Sequence, residues 1–393
     1  MRIVVRPNVP DYKTANAVYT QINGVRSHDL WVCDLIEDVT GQDGCECDEP
    51  SDHKPRGGPV PNGEGPRRAG RRQGHEGYRI GRVARSLAPA SGECAPGSWI
   101  LRIMFEGFAS RFVDTGDASI FTRHGGDGPA VLLLHGHPRT SATWHRVAPL
   151  LVHRGYTVVC PDLRGYGRSR GPAPAADHSA HCKRAVATDM LEVMRTLGYD
   201  QFSVVGHDRG SYVALRLALD YPREVTTVTL LDGIPITEHL DRITDNFAIH
   251  YWHWFFFAQP EIPERVINAD PDAWYHGNPA AMGAENYAEW RDAMRKPEVV
   301  RAMLEDYRAG LTIDRRHEEA DRAAGKKVRC PTLVLWSEHD DLEELHGDPL
   351  AIWANWAQDL TGHPIDSGHH MAEEAPIPLA EAVATFLIAN DSR

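Results

Sequence analysis

Phe202-Ser203-Val204-Val205-Gly206-His207-Asp208-Arg209-Gly210-Ser211 is the stretch whose reading decides the fold. An apolar, β-branched run leads into a turn with glycine at both ends, and an amphipathic stretch follows to Asp220. The pattern predicts strand, tight turn and helix, an elbow that lifts one side chain above a sheet. Here that side chain is an aspartate, Asp208. A carboxylate that attacks an ester carbonyl makes a reactive anhydride, so acyl transfer suits it poorly. A carboxylate that displaces a leaving group from a saturated carbon makes an ordinary alkyl ester, which an activated water then cleaves. Asp208 therefore points to a carbon–halogen bond or an epoxide. The bland alternative is an aspartate that merely caps the helix.

Composition narrows the partners. The 393 residues carry 42 Lys and Arg against 55 Asp and Glu, a net charge of −13, which disfavours nucleic acid. Apolar runs are far short of the ~20 residues needed to span a bilayer. Met1-Arg2-Ile3-Val4-Val5-Arg6-Pro7 has no apolar core of signal-peptide length. Seven scattered cysteines do not form a disulfide framework, and a reduced cytoplasm is expected. The expected partner is a small-molecule substrate, with no nucleic acid and no membrane; a homodimer is allowed.

Residues 1–103 differ from the rest. Gly and Pro crowd the stretch from Gly41 to Gly97, and arginines lie among glycines from Arg67 to Arg85. Such sequence buries too little apolar surface to order itself, so 1–103 is expected to be disordered or a non-native extension. Cys45-Glu46-Cys47 lacks a second pair at zinc spacing, and no metal is expected. From Met104 the pattern alternates. Strands are predicted over Arg111–Asp114, Ala118–Arg123, Ala130–Leu134, Thr157–Cys160, 202–205, Val225–Leu231 and Thr332–Trp336, with one further short strand near the end. Helices are predicted over Ala142–His153, Ala185–Leu197, Ser211–Asp220, Leu350–Asp359 and Leu379–Ile388. Alternation of this kind predicts a mainly parallel sheet covered on both faces. With the elbow, it identifies the α/β-hydrolase fold, with core segments 104–234 and 314–393 and an inserted helical cap over 235–313.

Other residues add the remaining chemistry. His135-Gly136-His137-Pro138 follows the Val131–Leu134 run, where backbone N–H groups of His137 and of Arg209 form an oxyanion hole. Ser367-Gly368-His369 comes late in the chain, where the histidine that activates water belongs; His370 is its rival. Two aspartates compete to orient that histidine: Asp232 after Val225–Leu231, and Asp340 in Trp336-Ser337-Glu338-His339-Asp340. On position alone both stay open, and one of the two is expected to be an ordinary cap or surface carboxylate. Tyr251-Trp252-His253-Trp254-Phe255-Phe256-Phe257 reads by itself as a buried aromatic helix face.

From about Met104 the chain resembles the haloacetate (fluoroacetate) dehalogenases of the α/β-hydrolase superfamily. The shared motifs are Phe105-Glu106-Gly107-Phe108, His135-Gly136-x-Pro138 with Trp144, Asp162-Leu163-Arg164-Gly165-Tyr166-Gly167 and Gly206–Gly210. Glu305-Asp306-Tyr307-Arg308-Ala309-Gly310 and Ser367–His369 with Glu373-Glu374-Ala375-Pro376 complete the set. The resemblance implies nucleophile Asp208, base His369, acid Asp232, halide donors His253, Trp254 and Tyr307, and no cofactor. It also implies that Arg209 grips a substrate carboxylate. The family's second arginine falls on Tyr212, which carries no charge, and His137 stands where the family often has an apolar residue. The function implied is hydrolytic dehalogenation of short 2-haloacids. An epoxide hydrolase, with cap tyrosines Tyr251, Tyr275, Tyr287 and Tyr307, is the alternative, and a non-catalytic ligand receptor a third reading.

Overall fold

The computed structural model describes residues Met104–Asp391. The expectation for residues 1–103 lies outside them.

Among the described residues eight strands form one sheet in the order β1-β2-β4-β3-β5-β6-β7-β8. They are β1 Ala109–Asp114, β2 Ser119–Gly125, β3 Ala130–Leu134, β4 Thr157–Pro161, β5 Phe202–His207, β6 Val225–Leu231, β7 Thr332–Ser337 and β8 Leu360–Ile365. The β1–β2 hairpin is antiparallel and pairs antiparallel with β4, while every pairing from β4 to β8 is parallel. Strands β3, β4, β5 and β7 are buried along their whole length, as continuous apolar runs covered on both faces require. Helices α1 Val147–His153, α2 Lys183–Thr196 and α3 Arg209–Asp220 follow β3, β4 and β5. The C-terminal helix Pro376–Asn390 shares one apolar cluster with α1 through Leu379, Val383, Leu387, Ala148 and Leu151.

Two predicted helices are shorter than expected. The segment 142–153 is a 3-10 turn, Ser141–His145, followed by α1. Thr140 caps Ala142 N, Asp162 Oδ1 accepts from Ser141 N at 2.7 Å, and Arg146 donates to the Glu373 carbonyl at 2.7 Å. These side-chain bonds hold the backbone out of one continuous helix. The segment 350–359 is helical only over Pro349–Trp353. Its last residue, Trp353, and Trp356 beyond it are buried and their indoles donate to Gly233 O and Glu238 Oε1, which commits the chain to a turn.

Between β6 and β7 the chain leaves the sheet for a run of helices that includes α4 Trp252–Phe257 and α5 Pro297–Ala309. A π-helical turn, Gly310–Asp314, carries α5 on into Arg315–Ala323, so the helical path does not break at residue 313. Among the described residues no helix is long and apolar enough to cross a membrane.

Strand order places the site. β5 lies between β3 and β6, with Leu134 beside Gly206 and His207 beside Leu231, so the loops leaving β3, β5 and β6 open side by side at one edge. The elbow is tight enough to need its glycines. A Cβ on Gly206 would lie 2.2 Å from Gly210 O, and one on Gly210 would lie 2.5 Å from Leu134 O. Gly210→Ala is accordingly expected to cost about 3 kcal/mol through backbone overlap, read as a Tm lowered by roughly 6–12 °C. An unchanged Tm would show that the elbow and β3 are not in such close approach.

Candidate active site

Asp208 stands between β5 and α3 with φ 48° and ψ −117°, a conformation that non-glycine residues rarely adopt. Its carboxylate does not cap α3. Instead Oδ1 accepts from His137 N at 2.6 Å, and the loop can approach because Gly136 has no side chain: a Cβ there would meet Oδ1 at 2.4 Å. The loop after β3 is braced from below. His135 Nε2 accepts from Leu163 N at 2.9 Å, and the buried Asp162 carboxylate accepts from Ser141 N and from Arg168 N at 2.8 Å.

His369 lies on the loop after β8, and its ring packs 4.8 Å from that of His207. Its backbone is clamped: the carbonyl accepts from His207 Nε2 at 2.7 Å, and Glu374 accepts from Gly368 N at 2.7 Å and His370 N at 3.1 Å. Both rival aspartates reach it. Nδ1 lies 2.7 Å from Asp232 Oδ2 and 2.9 Å from Asp340 Oδ2, so neither is the idle carboxylate that sequence reasoning expected. Asp232 is the more enclosed, 1% exposed against 28%, and its Oδ1 accepts from Ser337 N at 3.0 Å. Burial alone would lower the His369 pKa, but hydrogen bonds and charge from the two carboxylates raise it well above the ordinary value. Asp340 is driven the other way, to about 2, because its bond to His369 outweighs its burial. His370 keeps Nδ1 buried and without a partner.

Arg209 is 1% exposed and points beneath the elbow, where Nε donates to Asp306 Oδ2 at 2.6 Å and Nη2 to the Asp306 carbonyl at 2.9 Å. Lys183 Nζ bonds the same carboxylate. Burial opposes the charge on Asp306, but Arg209 and Lys183 hold its pKa down to about 2. Neither Asp306 nor Lys183 was singled out as a site residue, although Asp306 falls inside a quoted motif. Tyr212 is buried and its hydroxyl is engaged with His239 Nε2 at 3.2 Å, which in turn meets His346 Nε2 through Nδ1 at 2.9 Å.

His253 and Trp254 on α4 and Tyr307 on α5 meet above this floor. Ring centroids of His253 and Trp254 lie 5.9 and 6.1 Å from Tyr307, and the Arg209 guanidinium carbon sits 4.1 Å from the Tyr307 ring. Burial, chiefly, lowers the His253 pKa to about 4, so its ring is a neutral donor. Burial likewise keeps the Tyr307 phenol protonated. Among the described residues, potential metal ligands come within 4.8 Å of one another in three groups. Two share His369, whose Nδ1 already faces two carboxylates. In the third, Cys182–Asp314–His317, Lys183 Nζ stands 3.8 Å from Asp314 and opposes a cation.

Known proteins resemble this chain over most of its length. A family profile described as alpha/beta hydrolase fold matches residues 129–376. Over 299 residues the chain is 41% identical to the fluoroacetate dehalogenase of Burkholderia sp, covering 74% of this chain and 96% of that one. Over 266 residues it is 31% identical to the soluble epoxide hydrolase of Corynebacterium sp. (strain C12), covering 64% and 87%. A solved structure from Nostoc sp PCC 7120, provisionally assigned as an alpha/beta hydrolase, superposes with a TM-score of 0.70 at 42% identity, covering 72% and 99%.

The raised His369 pKa has a readable sign. The protonated ring is favoured in the folded state, so its stabilisation is complete below the unfolded value near 6.5 and is lost as pH rises through the folded midpoint. The Tm gap between wild type and His369→Gln should therefore be largest in acid and shrink with rising pH. Asp340→Asn, which removes one anion from Nδ1, should move the ring's NMR titration midpoint to lower pH. A midpoint at or below 6.5 in the wild type would contradict the pairing.

Proposed function

The chain belongs to the alpha/beta hydrolase fold family, and on that premise we propose that it hydrolyses the carbon–halogen bond of short 2-haloacids through an ester on Asp208. The observation that carries the reading is the Asp208 carboxylate itself. One oxygen, Oδ1, already accepts a backbone N–H at 2.6 Å on a strained elbow, which leaves Oδ2 to attack.

Oδ2 displaces the halide from the 2-carbon; the carbon–oxygen bond forms as the carbon–halogen bond breaks, and the halide leaves with the electron pair. Neutral N–H and O–H donors on His253, Trp254 and Tyr307 receive that anion. His369 then takes a proton from water, and the hydroxide adds to the Asp208 carboxyl carbon. The negative charge falls on Oδ1, where the His137 N–H stands, with Arg209 N as its companion. Collapse expels the alkoxide, which takes the proton from His369, and Asp208 returns as a carboxylate by releasing a proton to solvent. Asp232 and Asp340 stabilise the imidazolium between these steps. The products are a 2-hydroxyacid, halide and a proton. The high identity to a fluoroacetate dehalogenase supports the substrate class.

Arg209 is the cation for the substrate carboxylate, but Asp306 already shares its charge, and Tyr212 adds none. Without a second guanidinium the site forgoes about 1.5–3 kcal/mol, roughly ten- to a hundredfold in discrimination. Chloro- and bromoacids should outpace fluoroacetate, whose stronger bond demands tighter positioning. The second reading, epoxide hydrolysis, is favoured by the likeness to a soluble epoxide hydrolase and by the uncharged Tyr212. Halide release against diol formation across a panel of haloacids and epoxides separates the two.

Asp208→Asn is expected to abolish turnover while the fold survives, because an amide is a far weaker nucleophile; near-wild-type activity would remove the mechanism. His369→Gln should alkylate but not hydrolyse, so an adduct accumulates on the peptide bearing Asp208, read by mass spectrometry. Asp232→Asn should slow hydrolysis of that ester more than Asp340→Asn, given the deeper burial of Asp232; the reverse ranking would give Asp340 the orienting role. In a single turnover in oxygen-18 water the product hydroxyl should be unlabelled, since its oxygen comes from Asp208.

A further inference from the structure

We propose that Lys183 and Asp314 set, from beneath the elbow, how strongly Arg209 holds an anionic substrate: Lys183 supplies a second positive charge and Asp314 cancels it. The inference rests on the dehalogenase reading, in which Arg209 meets the substrate carboxylate. It adds two positioning residues that act through Arg209.

Hydrogen bonds divide the Arg209 guanidinium. Nε and Nη2 donate to Asp306 at 2.6 and 2.9 Å, and among the described residues Nη1 makes no hydrogen bond. Nη1 is therefore the end left to meet a substrate. How positive that end is depends on how much of the Asp306 charge is spent on Arg209. A cation claims each Asp306 oxygen: Oδ2 accepts from Arg209 Nε, and Oδ1 from Lys183 Nζ. Lys183 thus draws Asp306 charge to itself and leaves the guanidinium more of its own. The Lys183 side chain is 3% exposed, so water screens its charge far less than it would at the surface.

Asp314 works the other way. It ends the π-helical turn Gly310–Asp314 and is as deeply buried as Lys183, with Oδ2 3.8 Å from Lys183 Nζ. Oδ1 accepts from Lys183 N at 2.8 Å, whereas Oδ2 is buried without a hydrogen-bond partner. A carboxylate oxygen so placed is costly unless a cation faces it, and Lys183 is that cation. Burial raises the Asp314 pKa, and the Lys183 ammonium opposes the rise. Charges further out are matched already: Arg216 pairs with Asp220 and Asp321, and Glu318 accepts two hydrogen bonds from Thr237. Two cations, Arg209 and Lys183, therefore face two anions, Asp306 and Asp314, and the four cancel. Neutralising Asp314 leaves one net positive charge, adjoining the end of Arg209 that meets the substrate. The charge that Tyr212 fails to supply thus exists behind the floor, held in check by one acid.

The test uses the full chain and a pair of nearly equal shape, chloroacetate and the uncharged chloroacetamide. Asp314→Asn keeps the side chain's size and its bond to Lys183 N. It should lower the chloroacetate-to-chloroacetamide KM ratio roughly tenfold, the scale of one unit charge in a weakly screened site, with the change in KM rather than kcat. Adding Lys183→Met to Asp314→Asn should return the ratio to the wild-type value or above it, because asparagine cannot take up a proton to compensate. NMR titration with glycolate and glycolamide, which carry no halogen, reads the same ratio as affinities without turnover. A gain for glycolate alone, reversed by the second substitution in a chain that releases no halide, keeps the charge pair and removes the dehalogenase reading. Equal changes for acid and amide, no change in Asp314→Asn, or a gain that survives Lys183→Met each overturn the proposal. If the double variant does not fold, the single isosteric one decides alone.

Discussion

The crossing of the elbow beneath β3 is the constraint on which the rest of the structure depends. Gly206 and Gly210 approach each other and Leu134 so closely that a single methyl group at either would overlap backbone atoms. That approach turns Asp208 into a positive-φ position and points its side chain at the loop after β3. The same approach brings the His137 N–H to Oδ1. Were the turn wider, the carboxylate would fold back to cap α3, as an ordinary aspartate there does. The strain at Asp208 persists because the sheet on both sides over-determines it, with β3 and β6 paired to β5 through the last residues before the turn.

Beneath the elbow the charges are arranged to cancel. Arg209 and Lys183 share the Asp306 carboxylate, and Lys183 also stands 3.8 Å from Asp314. A buried guanidinium without such a partner would be costly, and the Tyr307 and Trp254 rings pack over it at 4.1 and 5.5 Å from the guanidinium carbon. The floor is therefore rigid and nearly neutral. The Tyr212–His239–His346 chain carries that neutrality on, for each member pairs with the next without a formal charge.

How much of this was legible depended on whether the signal was local. The elbow, the eight strands and the loops after β3 and β8 were written in short runs of residue type, glycine placement and periodicity. The two shortened helices were misread because their ends are set by distant side chains: Asp162 pins Ser141, and Gly233 and Glu238 receive the indoles of Trp353 and Trp356. Lys183 carried no signal at all. It meets Asp306 across 123 residues, and nothing in either neighbourhood announces a partner. His253, Trp254 and Tyr307 were reachable only by resemblance, since from periodicity alone they are core aromatics. Their meeting above Arg209 depends on how α4 and α5 pack, which a one-dimensional pattern does not contain.

The pair of carboxylates on His369 follows from where β6 and β7 end. Parallel neighbours in register release their chains at the same height, so residues just past each strand converge on one point; Leu231 pairs with Leu335, and Asp232 and Asp340 follow. Position along the chain therefore could not choose between them, because the fold brings both to Nδ1. Burial distinguishes them instead. Two full negative charges on one imidazolium would leave an excess anion, tolerable only if one remains near water. Asp340, 28% exposed, meets that condition, while Asp232, enclosed and bonded to Ser337 N, fixes the ring's orientation. The arrangement raises the basicity of His369 at the cost of holding its proton longer. That trade suits the proposed step, in which the same ring takes a proton from water and then returns it to a departing alkoxide.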